Sequence, residues 1–130
     1  MKTADFNRLI ALADQELRIS NMYADGNIAE TYNGKTAALS VSVAMSDILP
    51  TLAMYFQDFD TKRPNNPCRR NVLNVVARMI DNPNTNAKFT DAEELMRYSV
   101  GIEADLQYIK RHVIDSAIAL KHVVRTYKLI

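Results

Sequence analysis

Ile102-Glu-Ala-Asp-Leu-Gln-Tyr-Ile-Lys-Arg-His-Val-Ile-Asp-Ser-Ala-Ile-Ala-Leu-Lys-His-Val-Val-Arg-Thr-Tyr-Lys-Leu-Ile130 contains neither glycine nor proline. Apolar side chains recur at Ile102, Leu106, Ile109, Val113, Ala117, Leu120, Val124 and Tyr127. Steps of three and four are the α-helical period, so the stretch predicts one long amphipathic helix. At about 100° per residue, Lys110, Lys121, Arg125 and Lys128 form a second row beside that stripe. Ile114 and Ile118 sit among these cations, where a fully solvated face carries polar residues. A surface of cations and aliphatics suits a charged, flat partner such as RNA, or another protein. The same interleaving also fits a second buried seam.

Working outward, the rest of the chain reads as further helices separated by short polar breaks. Phe6, Leu9, Ala13 and Leu17 place an amphipathic helix over Ala4 to Tyr23, and Asp25-Gly26-Asn27 breaks it. The alanine-rich run from Ile28 to Met45 reads as helix, although Val41-Ser-Val43 alternates like a strand. Ser46-Asp47 marks the next cap, with Pro50 in the first turn, where a missing N–H costs little. After the polar loop at 60–67, Asn66 and Pro67 signal a helix start running to Ile80. Thr90-Asp-Ala-Glu93 matches a capping box, which explains Glu93. No convincing pair of strands appears. The expected fold is all-α: a compact bundle of five to seven helices with a long C-terminal helix, forming a single domain over 1–130.

Bulk properties fit that fold. At 130 residues the chain is long enough to bury one core unaided. Hydrophobic residues make up 48% and charged ones 24%, the ordinary globular range. The net charge of +1 argues for no particular partner, but its distribution is uneven. Residues 1–65 hold six Lys/Arg against eight Asp/Glu; residues 66–130 hold ten against seven. An electrostatic footprint therefore belongs to the C-terminal half. One cysteine, Cys68, cannot form an internal disulfide and fits a reducing compartment. Charged Asp5 and Arg8 interrupt any signal peptide, and no apolar run approaches the roughly 20 residues of a membrane span. The expectation is a cytoplasmic protein.

Catalytic groups are scarce. His112 and His122 lie about 15 Å apart along one helix, too far to share a metal. Asp115 pairs most simply with His112 on the surface. Cys68 stands at a helix start without a positioned base. Glu93, Glu94 and Glu103 lack the Glu-x-x-His partner of a dinuclear site, and the three glycines lack phosphate-loop spacing. No enzyme, metal or cofactor is expected. Besides the C-terminal row, Lys62-Arg63 and Arg69-Arg70 flank one loop and are candidates for phosphate contact. The tyrosines Tyr98, Tyr108 and Tyr127 lie in the same C-terminal region, where aromatics beside cations can stack unpaired bases, although Tyr127 falls on the apolar stripe and reads as core.

Two segments resemble a known family. Met45-Ser-Asp-Ile-Leu-Pro-Thr-Leu-Ala-Met-Tyr-Phe56, within Tyr32 to Phe56, and Ser116-Ala-Ile-Ala-Leu-Lys-His-Val-Val-Arg-Thr-Tyr127 resemble the small subunit of type III-B (Cmr-type) CRISPR effector complexes. That family enters one helix through a Ser-Asn-Gly-like turn and ends on a Glu-Ala-x-x-x-Leu-x-Trp-Leu-Arg-Arg-Phe helix. Here Asp47 stands for the turn glycine, Ser116 for the glutamate and Val123 for the tryptophan, and one of the paired arginines remains, as Arg125. The resemblance covers under a third of the chain. It implies a non-catalytic subunit in antiviral defence, without cofactor. Its copies would stack along a duplex of CRISPR RNA and target RNA, beside backbone subunits that carry the cleavage. The RNA-binding positions expected from the basic ridge, the loop and the resemblance together are Lys35, Lys110, Arg111, Lys121, Arg125 and Lys128, with Arg69 and Arg70 at the loop. Arg125 inherits the family role by position, Lys121 and Lys128 by sharing its ridge, and Lys35 by following Tyr32. Two other readings compete: a helical protein–protein adaptor anchored by Ile114 and Ile118, and a helix-turn-helix DNA-binding regulator. Against the latter, the last helix is too long and starts with Lys110 and Arg111 rather than a base-reading Asn/Gln cluster.

Overall fold

A computed structural model describes residues 3–130. Six helices follow one another: α1 (Thr3–Arg18), α2 (Thr31–Ser46), α3 (Ile48–Gln57), α4 (Arg69–Arg78), α5 (Ala92–Ser99) and α6 (Leu106–Val124). All six feed one core, which includes Leu17, Leu39, Leu52, Leu73, Leu95 and Leu120. Helix α4 packs against the other five, and α6 lies between α1 and α2. The expected helical bundle is therefore present, with six helices and the longest one near the C-terminus.

The C-terminal helix is shorter at both ends than its periodicity predicts. Asp105 starts it, its Oδ1 accepting from the Tyr108 backbone N–H at 3.1 Å, as an N-cap carboxylate does. Ile102 therefore lies outside the helix and is fully exposed, against its expected place on the apolar stripe. At the other end, Thr126 Oγ donates to the Val123 carbonyl at 2.7 Å. The tail then leaves for tertiary partners: Tyr127 Oη donates to the Asp14 carboxylate and accepts from Arg18 Nε at 2.8 Å. Tyr127 is thus half-buried in a turn, outside the helical stripe.

Three two-residue strands correct the expectation that none would form. Tyr23–Ala24 (β1) pairs antiparallel with Asn27–Ile28 (β2), and Lys128–Leu129 (β3) joins β2 in parallel. Asp25 and Gly26 both take positive φ, 52° and 85°, which is the two-residue turn that matches strand twist. The Asp-Gly pair is a hairpin signal as well as a helix breaker.

Helix α1 ends at Arg18, five residues short of the expected Tyr23, and α2 starts at Thr31 rather than Ile28, whereas capping moves two further boundaries by one or two residues. Helix α4 begins after Cys68, not at Asn66-Pro67, because Asp58 supplies its cap. The Asp58 carboxylate accepts from the Arg69 N–H at 2.8 Å, and the Asp58 carbonyl from the Arg70 N–H at 3.2 Å. The α5 cap is Asp91, bonded to the Glu94 N–H at 2.9 Å, with Thr90 Oγ reaching the Glu94 carboxylate. The box is shifted by one residue, so capping does not explain Glu93. Asp47 caps α3 as expected, accepting from the Ile48 N–H at 2.8 Å.

Candidate nucleic-acid interface

Helix α6 buries Ile109, Val113, Ala117, Leu120 and Val124, five of the expected stripe positions. Its flank beside α2 carries Lys110, Ile114, Lys121 and Arg125, with Ile118 further outward. Two contacts fix this flank to α2 at opposite ends. Lys110 Nζ lies 3.6 Å from the Asp47 carboxylate, and Arg125 Nε donates to Asn33 Oδ1 at 2.9 Å. The helices therefore run antiparallel. Ile114 and Ile118 are half-buried, so the face is neither an open ridge nor a sealed seam. Lys110 and Lys121 are half-buried, while Arg111 and Arg125 are exposed. Long side chains in such places lay their stems on apolar surface and keep their charge in water. Gln107, Lys110, Arg111, Ile114 and Asp115 line a shallow depression of about 270 Å³ on this surface.

Lys35 lies on the opposite flank of α2, about 200° around the helix from Asn33 at 100° per residue. There the Tyr55 hydroxyl donates to the Lys35 carbonyl at 2.7 Å, and the Arg69 guanidinium stands 5.9 Å from the Tyr55 ring centroid. Cations therefore border α2 on both sides. Between them, α2 turns outward an uncharged face of Gly34, Ala38, Val41 and Met45, all exposed. Sequence reasoning did not single out this face. Its signal is Thr36 to Ser46, three helical turns without a charged residue.

Other expected cations are occupied or elsewhere. Arg69 Nη1 lies 3.5 Å from Asp58. Arg70 Nε donates to the Phe56 carbonyl, and its guanidinium lies 4.0 Å and 4.7 Å from the Phe56 and Phe59 ring centroids. Both arginines thus hold the 58–68 loop against α4. Lys128 is exposed on β3, beyond the end of α6.

The groups weighed for catalysis are dispersed. Cys68 is buried. His112 stacks against Tyr108, with ring centroids 4.2 Å apart, and its pKa is lowered by burial and then by the charge of Arg111. His122 meets Phe6 edge-on at 6.0 Å. Among the described residues, no group of three His, Cys, Asp or Glu side chains is placed to hold a metal. Nor is any helix there long and apolar enough to cross a membrane.

No family model matches the chain, and no curated protein or solved structure matches it either.

Proposed function

We propose that the chain is a non-catalytic small subunit of a type III CRISPR ribonucleoprotein effector, holding RNA along the outer side of α6. The observation that carries this reading is the row Lys110, Arg111, Lys121 and Arg125 on one rigid helix, interleaved with half-buried Ile114 and Ile118. The row spans α6 from near its start to its C-cap, a length of roughly 20 Å at 1.5 Å per residue. Cations at the two ends of such a length can contact separate phosphates without reading sequence. Arg125 fits best, since its guanidinium is exposed while one N–H is anchored on Asn33. The resemblance of the 45–56 and 116–127 segments to the Cmr-type small subunit supplies the biological setting, with guide and target RNA, backbone subunits and further copies as partners. Lys35 lies on the other flank of α2, Arg69 is held by Asp58, and Arg70 and Lys128 lie further from the row.

Charge reversal tests the assignment. Lys121, Arg125 and Lys110 replaced by Glu are expected to abolish retention of target RNA in the assembled complex while leaving helical circular dichroism intact. Each cation removed singly should lower the salt dependence of RNA binding by about one unit of slope. RNA retention that survives the triple reversal would sink the ridge as an RNA site.

A further inference from the structure

A second surface is apolar, exposed and firmly held. The turn between α5 and α6 presents Val100 and Ile102, the latter with 103% of its reference area open to solvent. Four hydrogen bonds fix this knuckle. The Val100 N–H donates to the Met96 carbonyl, the Gly101 N–H to Tyr98, the Ala104 N–H to Gly101, and the Asp105 N–H to the Tyr98 hydroxyl at 2.9 Å. Two exposed acidic residues follow Ile102, Glu103 directly and Asp105 as the cap of α6; Arg97, five residues before Ile102, is the cation nearest in sequence. Ile102, together with Val100 at 54% exposure, forms a small apolar patch open to solvent.

The outward face of α2 has the complementary character. Met45 is 82% and Val41 55% exposed, with Gly34 and Ala38 beside them leaving room for close approach. Lys35 borders one side of this face and Lys110 and Lys121 the other; Asp47, near Met45, is paired with Lys110. Two α2 faces meeting each other would set cations against cations. An apolar knuckle followed by two acids meets them with opposite charge and fills the space over the small residues.

We propose that the Val100–Asp105 knuckle of one copy docks on the outward α2 face of a second copy, with Ile102 set against Val41 and Met45. This names a junction rather than the stacking that the family resemblance implies, and it stands on the two surfaces alone. Each copy carries both halves, so the contact either closes a ring or pair or propagates along a row.

Sedimentation velocity of the purified chain from micromolar to millimolar concentration reads the junction. The unaltered chain is expected to self-associate with increasing concentration. Ile102→Glu and Met45→Glu should each weaken self-association by about tenfold or more, with circular dichroism confirming that the helices persist. Ile102→Ser and Met45→Ser replace either variant that fails to fold. An equimolar mixture of the two variants retains one intact knuckle and one intact face, and should form a dimer that grows no further. A chain that stays monomeric at millimolar concentration, or a mixture that stays monomeric, overturns the junction. RNA binding by such a monomer would leave the α6 ridge standing, so the two proposals fail separately.

Discussion

Asn71 on α4 is nearly fully buried, and its Nδ2 donates to Tyr32 Oη at 2.8 Å, while its Oδ1 has no partner among the described residues. A buried polar pair of this kind is costly to break from one side. Tyr32→Phe is expected to destabilise the fold by about 1–3 kcal/mol, whereas Tyr32→Phe combined with Asn71→Leu should cost less than the sum of the singles. Denaturant titration of the four proteins measures this coupling, and strict additivity would contradict it. His112 sets a pH dependence of definite sign. Its folded pKa lies below the ordinary value because burial, and then Arg111, disfavour the charged ring. The unfolded chain therefore takes up the proton first as pH falls. Stability from this group is full above about 6.5 and declines as pH drops from there toward the lower folded value. His112→Gln should flatten thermal stability between neutral and mildly acidic pH; an unchanged slope would remove His112 as its source.

At the scale of elements, the interior of each helix was legible because its apolar period is local. Ile109, Val113, Leu120 and Val124 needed no partner to be identified as buried. Helix ends were less legible because their caps come from elsewhere. Asp58 caps α4 from the end of α3, and nothing near Asn66-Pro67 reports that. Tyr127 continues the helical period of α6, yet its hydroxyl is claimed by Asp14 and Arg18 on α1. Tertiary partners override local periodicity there. Half of the candidate site shared this limitation: the Lys110–Arg125 row could be read from spacing, but not the return of α2 alongside it. Lys35 and Arg69, far apart in sequence, meet only through Tyr55. The β3 clasp carries its own test. The Ile130 N–H donates to the Ile28 carbonyl and the Glu30 N–H to the Ile130 carbonyl, both at 3.0 Å. Ending the chain after Thr126 should lower the melting temperature and speed amide exchange at Ile28 and Glu30 while preserving the six helices. Unchanged exchange at Glu30 would show that the clasp does not hold the hairpin.

For the whole molecule, stability is centred on α4, which touches every other helix. Leu73 is completely buried there, and Leu73→Ala is expected to cost about 2–5 kcal/mol in a single cooperative transition. Unfolding in two separate steps would contradict the one-core architecture. The same packing keeps α2 and α6 in fixed register. A basic row and an uncharged face are thereby presented side by side, the first proposed for RNA and the second for another copy. The most direct test of the ribonucleoprotein reading is purification of the tagged chain from its native cells, followed by sequencing of the RNA and identification of the proteins that accompany it. The expected result is small guide RNA of CRISPR origin together with effector backbone subunits, both lost on reversing Lys110, Lys121 and Arg125. Recovery of the chain with protein partners but no RNA would contradict it.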